Sequence, residues 1–327
     1  AQQIAAPTFS ASVWQRDRER QIAAWQEAQN QPDTHAARAF DRAVYGTHPY
    51  GQEETPQTWR AISVNDMRAH YRRSVLACRA SVTVVGAVDK AGAQAIVGPM
   101  LAAMGQAACT PLPSVPEVAA LSAAAVRRVP FNSAQAQVLL GQPGITRADP
   151  DFFPLFVGNH ILGGGGFVSR LTNEVREKRG LTYGVGSYLV DYEQADLVMG
   201  QMATANGTAK QAVDLLQSEW ARAAEGVTQA ELDAVKTYLT GAYALRFDSN
   251  RAIAGVLVGM QMAGYGTDYP AKRNALIEAV SLDSTSIKVH PDGTGARKKT
   301  ARRPSAAPAE AGPPKFIGLP RVIAAQS

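Results

Sequence analysis

The chain has only two cysteines, Cys78 and Cys109, in 327 residues. That count excludes a disulfide framework and a zinc knuckle. A single bridge between them requires an oxidising compartment, and the expectation is two unrelated buried thiols. No apolar run reaches ~18 residues, so a membrane-spanning helix is excluded. Charged residues are scarce, 19% against 46% hydrophobic, which excludes a disordered chain and leaves enough apolar material for two cores. The five histidines, among them His35, His48, His70, His160 and His290, form no H-x-x-E-H or H-x-x-x-H pair. That spacing is what sets two imidazoles on one helix face toward zinc. His48 and His70 therefore read as structural. There is no G-x-S-x-G elbow for a serine hydrolase. Ala1–Ser10 shows neither the basic start nor the apolar run of a signal peptide. With no initiator Met, the expectation is a chain that begins after processing or truncation.

A net charge of +5 invites a nucleic-acid reading, and its distribution cancels it. Residues 285–327 hold eight of the 33 Lys/Arg and two of the 28 Asp/Glu, leaving 25 basic and 26 acidic residues in the first 284. A body that is neutral offers no folded basic groove.

What is present is a mixture of helical and strand-like segments. Residues 13–28 and 35–45 read as helices separated by the breaker Asn30-Gln31-Pro32-Asp33. Ser63 with Asp66 reads as a capping box, and 80–87 as a buried β-branched strand followed by a helix from Lys90 to Met104. Residues 107–124, rich in Pro and Ala, read as a linker. Beyond it, 125–130 and 135–141 read as paired strands, and 152–162 as an apolar helix. Gly163–Gly166 reads as a flexible connection, 169–178 as a helix stopped by Gly180, and 181–190 with 197–205 as two further strands. Thr208 with Gln211 and Thr228 with Glu231 read as capping boxes. Residues 252–264, with Gly255 and Gly259, read as a small-residue helix suited to close packing. The predicted class is α+β, not a doubly wound parallel sheet.

The glycine run lacks the following Gly-Lys-Ser/Thr and the preceding strand that a nucleotide loop needs. The segment from Ser169 to Val185 carries more chemistry. Arg176 lies in the last turns of a helix and Tyr183 begins the next strand after a glycine turn. A guanidinium and a phenol brought to one point offer rigid hydrogen-bond donors to a carbonyl or oxyanion.

The run HILGGGGFVSRLTNEVREKRGLTYGVGSYL resembles the C-terminal-domain signature of the pitrilysin/insulinase zinc metallopeptidases. YGTHPYG, AISVNDMRAHYRRSV and ASVTVVGAVD resemble the later part of that family's N-terminal domain. The resemblance implies two similar α+β domains of mixed sheet packed with helices, the first incomplete. It places the remainder of an N-terminal domain at 1–106, the linker at 107–124 and a C-terminal domain at 125–284. It also implies that Arg176 and Tyr183 reach the scissile peptide, with Gly164, Gly165, Phe167 and Ser169 as substrate-binding residues.

The departures from the family pattern matter as much. The inverted zinc motif, H-x-x-E-H, is absent, and the third ligand falls on Gln26, or on Glu27 after a shift of one. An amide is a poor replacement for a carboxylate at zinc, and without the His pair and general-base Glu no water is activated by metal. The resemblance therefore implies a bacterial subunit with no cofactor of its own, paired as a heterodimer with a zinc-bearing subunit and binding unfolded peptide. It favours a periplasmic location. The alternatives are a non-enzymatic core or peptide-binding subunit, or a non-functional fragment of a longer peptidase gene. Finally, the apolar strand expected to close the second domain is replaced by His290–Lys299. Deleting one G from a possible coding of Asp292–Lys298 restores Asp-Ala-Leu-Val-Leu-Val. The expectation is a frameshift near Asp292, with a disordered basic tail over 285–327 and a sheet one strand short.

Overall fold

A computed structural model of the chain describes residues 1–282 and the two-residue strand Ile323–Ala324. The expected tail and the frameshift otherwise lie outside the described residues. The fold is α+β, as its pattern predicts. It divides into two units built from separated stretches: 1–30, 53–114 and 240–273 form one, and 31–52, 115–239 and 274 onward the other. No helix among the described residues is long and apolar enough to cross a membrane.

The first unit contains the helices Ala11–Ala28, Pro56–Ala61, Val64–Ser74, Lys90–Ala102 and Asn250–Met262. Ser63 and Asp66 form the expected box: the Ser63 N–H donates to Asp66 Oδ2 (2.8 Å) and the Asp66 N–H to Ser63 Oγ (3.1 Å). The Trp14 indole N–H donates to the Ile62 carbonyl at 3.0 Å, holding the first long helix to this turn.

Three expectations fail in this unit. Residues 80–87 make no strand, because no strand among the described residues supplies the ladder that a lone extended segment needs. The cysteines are not separate thiols: Cys78 and Cys109 form a disulfide, with Cα atoms 6.0 Å apart. Their approach is set by the backbone, where the Ala77 N–H donates to the Gly105 carbonyl (3.0 Å) and the Gly105 N–H to the Val75 carbonyl (3.2 Å). Gly255 and Gly259 make no close packing; a Cβ on either would meet nothing within 4 Å.

The second unit is organised by an antiparallel sheet. Its strands are β2 (Gln135–Pro143), β3 (Thr182–Tyr192) and β4 (Ala195–Ala205), in the order β2-β4-β3. The short β1 (Val126–Arg127) was expected beside β2. It instead runs parallel to β5 (Ile323–Ala324), while β2 takes its full nine-residue register from β4. The period-2 alternation of β2 and β4 sends Val138, Leu140, Val198 and Met202 to one face, against Leu216 and Trp220 of helix Ala209–Glu225. The Trp220 N–H is satisfied there by Gln142 Oε1 at 2.9 Å. Leu139, Leu197 and Met199 face the other way, onto Phe40 and Tyr45 of helix Pro32–Tyr45. A third cluster joins Val157, Leu232, Leu239 and Ile277 from helices Phe152–Asn159, Gln229–Ala244 and Tyr269–Glu278.

The Thr228/Glu231 box is present: the Glu231 N–H donates to Thr228 Oγ1 (3.3 Å) and the Thr228 N–H to Glu231 Oε2 (2.8 Å). The Thr208/Gln211 box is not. The Thr208 hydroxyl turns back to the Ala205 carbonyl (3.1 Å), so it is spent outside the helix.

Candidate active site

Three of the four glycines in the run, Gly163, Gly164 and Gly165, are closely packed, whereas a Cβ on Gly166 would meet nothing within 4 Å. His160–Gly164 continues the helix Phe152–Asn159 as a wider π-turn. A Cβ on Gly163 would lie 2.4 Å from the Ser187 backbone nitrogen and 2.6 Å from its Oγ, so only glycine lets this turn lie against β3. Gly164 would meet Asn159 Nδ2 at 3.0 Å and Gly165 the His160 carbonyl at 2.8 Å. His160 is stacked on Tyr238 (5.3 Å between centroids), and burial pulls its pKa below the ordinary value.

Ser169 is fully buried and starts the next helical segment. Its Oγ donates to the Gly166 carbonyl at 2.7 Å. Arg170 follows, donating through Nε and Nη2 to the two Glu231 oxygens at 2.6 and 2.7 Å. That bidentate pair lowers the Glu231 pKa from 4.5 to about 2. Leu171 and Val175 are sealed in the core, which leaves Arg176 on the outward side of the π-helix Thr172–Glu177. Gly180, at φ +60°, donates its N–H to the Arg176 carbonyl (2.8 Å), and the Leu181 N–H reaches Val175 (3.0 Å). This glycine closure ends the helix and turns the chain straight into β3.

Between Thr182 and Val185 the β3–β4 register slips by one residue, a bulge. The Thr182 hydroxyl pins it by donating to the Ala203 carbonyl at 2.5 Å, and the Gly184 N–H donates to Thr182 Oγ1 at 3.1 Å. Bulges re-aim side chains, and Tyr183 stands 87% exposed on this one. The Arg176 guanidinium carbon lies 5.0 Å from the Tyr183 ring centroid and 4.7 Å from that of Phe167, itself 68% exposed. Arg176 Nε is also 3.3 Å from Glu177 Oε1. The cation sits between two rings, and the Tyr183 hydroxyl has no partner among the described residues. Arg176, Tyr183 and Phe167 are thus brought to one point. Ser169, Gly164 and Gly165 lie in the packing that supports it.

A second feature of this unit escapes sequence reasoning. A cavity of about 1230 Å³ lies between helix Pro32–Tyr45 and the sheet, lined among others by Asp41, Tyr45, Tyr50, Gly184, Tyr188 and Tyr192. Burial pushes the Tyr45 and Tyr188 hydroxyls above the usual phenol range, with Tyr192 and Asp41 adding to it. The signal in the sequence is the period-2 series Gly184, Gly186, Tyr188, Val190, Tyr192, which puts small and aromatic residues on one face.

The family model described as the peptidase M16 inactive domain matches residues 61–239. The chain belongs to the peptidase M16 family. This agrees with the pitrilysin/insulinase resemblance of its motifs. An uncharacterized zinc protease of Streptomyces coelicolor is 27% identical over 224 residues, which is 65% of this chain and 48% of that protein. The uncharacterized zinc protease YmxG of Bacillus subtilis is 31% identical over 119 residues, 36% of this chain and 29% of that one. The crystal structure of a peptidase M16 inactive domain from Pseudomonas fluorescens superposes with a TM-score of 0.79 at 29% identity, covering 86% of this chain and 67% of that chain. The periplasmic protease PqqL from Escherichia coli shares the fold, with a TM-score of 0.65 at 16% identity, covering 84% of this chain and 30% of its own. The chain spans half or less of the length of these curated relatives.

The described residues of this M16 chain do not fit a zinc ion. Gln26 and Glu27 are exposed on helix Ala11–Ala28, and the paired histidines that would complete a site are not in the sequence. No group of three or more His, Cys, Asp or Glu among the described residues is placed to hold a metal.

Proposed function

We propose that this chain is the zinc-less subunit of a two-chain M16 metalloendopeptidase. The companion chain supplies the metal, and this chain supplies Arg176 and Tyr183. One observation carries the reading: a guanidinium held between two exposed rings, beside a phenol hydroxyl with no partner among the described residues. Such donors stabilise charge as it develops on a peptide carbonyl oxygen, because their orientation is set before the reaction. The Arg176 N–H groups bind the carbonyl and the Tyr183 O–H donates to the oxyanion. Unfolded peptide is held as an added strand by its backbone, with the aromatic cavity beside Gly184 taking side chains.

In the reconstituted assembly, Arg176→Ala or Tyr183→Phe lowers kcat by about 10² to 10³. Folding is unaffected, since neither change empties the core. Wild-type turnover in both variants contradicts the reading. The size and aromatic lining of the cavity favour one other reading, a peptide-binding subunit without chemistry. That reading predicts an assembly that binds peptide and leaves it intact.

A further inference from the structure

Tyr183 stands out in water, so the backbone that carries it sets its direction. That backbone is irregular. Thr182 pairs with Thr204 and Val185 with Met202, so Tyr183 and Gly184 together face Ala203 alone. A bulge of this kind disrupts the ladder locally and leaves its extra residue unpaired. Threonine hydroxyls take the place of the lost ladder bonds. Thr182 is buried, and its Oγ1 accepts the Gly184 N–H at 3.1 Å. The proton of the same hydroxyl lies toward the carbonyls of Ala203 (2.5 Å) and Gly184 (2.8 Å). One residue before it, the Leu181 carbonyl accepts from Thr204 Oγ1 at 2.6 Å. Thr204 is itself sealed in the core, and its hydroxyl also meets Thr208 Oγ1 at 3.1 Å.

These contacts require hydroxyls. An O–H accepts an N–H and donates to a carbonyl through one atom. A methyl of the same size does neither and leaves both buried backbone groups unpaired. The clamp also reaches the other donor. The Leu181 N–H donates to the Val175 carbonyl and the Gly180 N–H to that of Arg176, so the root of β3 is fixed to the backbone that carries Arg176. Thr182 and Thr204 therefore hold the strand on both sides of Tyr183 in the frame of Arg176. Such a frame matters to a donor, because a misplacement of ~1 Å costs a rate about 10²-fold.

We infer, resting on the proposed role of Tyr183 as an oxyanion donor, that Thr182 is its positioning residue. The Thr182 hydroxyl fixes the bulge that aims the phenol beside Arg176, and Thr204 holds the carbonyl that precedes it. A double-mutant cycle in the reconstituted assembly tests this, together with hydrogen exchange on the chain alone. Thr182→Val keeps the side-chain shape and removes the hydroxyl. It lowers kcat by about 10- to 100-fold with KM unchanged, and Thr182→Ser restores wild-type kcat. Thr204→Val, which frees the Leu181 carbonyl, follows the same pattern. In a Tyr183→Phe background Thr182→Val costs nothing further, because the hydroxyl it aims is already gone. In the chain alone the Gly184 amide exchanges about tenfold faster in Thr182→Val than in wild type or Thr182→Ser. Wild-type kcat in Thr182→Val, with Tyr183→Phe impaired, overturns the inference and leaves the proposed chemistry standing. A full additional loss in the Tyr183→Phe background, or a loss that serine does not restore, makes Thr182 merely structural and overturns it too. Wild-type turnover in Tyr183→Phe removes the proposed chemistry itself, and the positioning role with it.

Discussion

Arg170 donates two hydrogen bonds to Glu231, and removing one partner of this pair leaves the other in difficulty. Arg170 is 9% exposed, whereas the Glu231 side chain keeps 31% of its surface in water. Glu231→Gln therefore costs on the order of 2–4 kcal/mol, at or below the figure for a fully buried pair because solvent screens the carboxylate. Urea unfolding reads that loss, and an unchanged midpoint refutes it. The pH dependence has a definite sign. The folded carboxyl titrates near 2 and its ordinary value is 4.5. The stabilisation is complete above about 4.5 and is lost as pH falls from there toward 2. Glu231→Gln flattens this part of the acid-unfolding curve. At this scale the sequence is legible where partners are close along the chain. Thr228 and Glu231 are three residues apart, and Arg176 and Tyr183 seven, across a single glycine turn. Arg170 and Glu231 lie 61 positions apart, and the tyrosines lining the cavity come from two distant segments. Nothing local announces the ion pair, and the period-2 series of β3 marks only one wall of the cavity.

The meeting of the π-turn His160–Gly164 with β3 is the element on which the candidate site rests. A methyl at Gly163 meets the Ser187 backbone nitrogen, Ser187 Oγ and Leu171 Cδ1, all within 2.7 Å. Gly163→Ala therefore costs about 1–3 kcal/mol by overpacking and lowers Tm by several degrees. It also shifts β3 relative to Arg176, so turnover in the assembly falls with stability. Wild-type Tm in this variant contradicts the packing. The Cys78–Cys109 bridge spans a sequence separation of 31 residues. Replacing both cysteines by serine costs about 3–4 kcal/mol by loop-closure entropy, read in urea against the oxidised protein. The hairpin β3–β4 and most helices were readable from periodicity, caps and glycines, because they are stabilised by near neighbours. The run 80–87 was not. Its β-branched pattern is that of a strand, but strand formation is decided by a partner that periodicity cannot reveal. The glycine run misled for a related reason: glycine permits flexibility and close approach alike, and Ser187 decides between them.

Across the whole molecule, M16 membership was legible in the Ser169–Val185 segment and its glycine preface. The interleaving of the two units was not, since stretches such as 31–52 and 240–273 group by contact and not by order. The missing donors set the expected metal chemistry. Dialysed chain holds no stoichiometric zinc by elemental analysis, and one tightly held zinc per chain would remove the basis for a partner subunit. In the proposed function this chain contributes donors to a reaction whose metal lies in another chain. Hydrolysis of an internally quenched peptide tests it most directly, measured for this chain alone, a zinc-bearing M16 partner alone and their equimolar mixture. Turnover in the mixture is expected far above either alone, reduced about 10² to 10³ when the mixture carries Tyr183→Phe. Hydrolysis by this chain alone at the rate of the mixture, or by the partner alone at that rate, contradicts it.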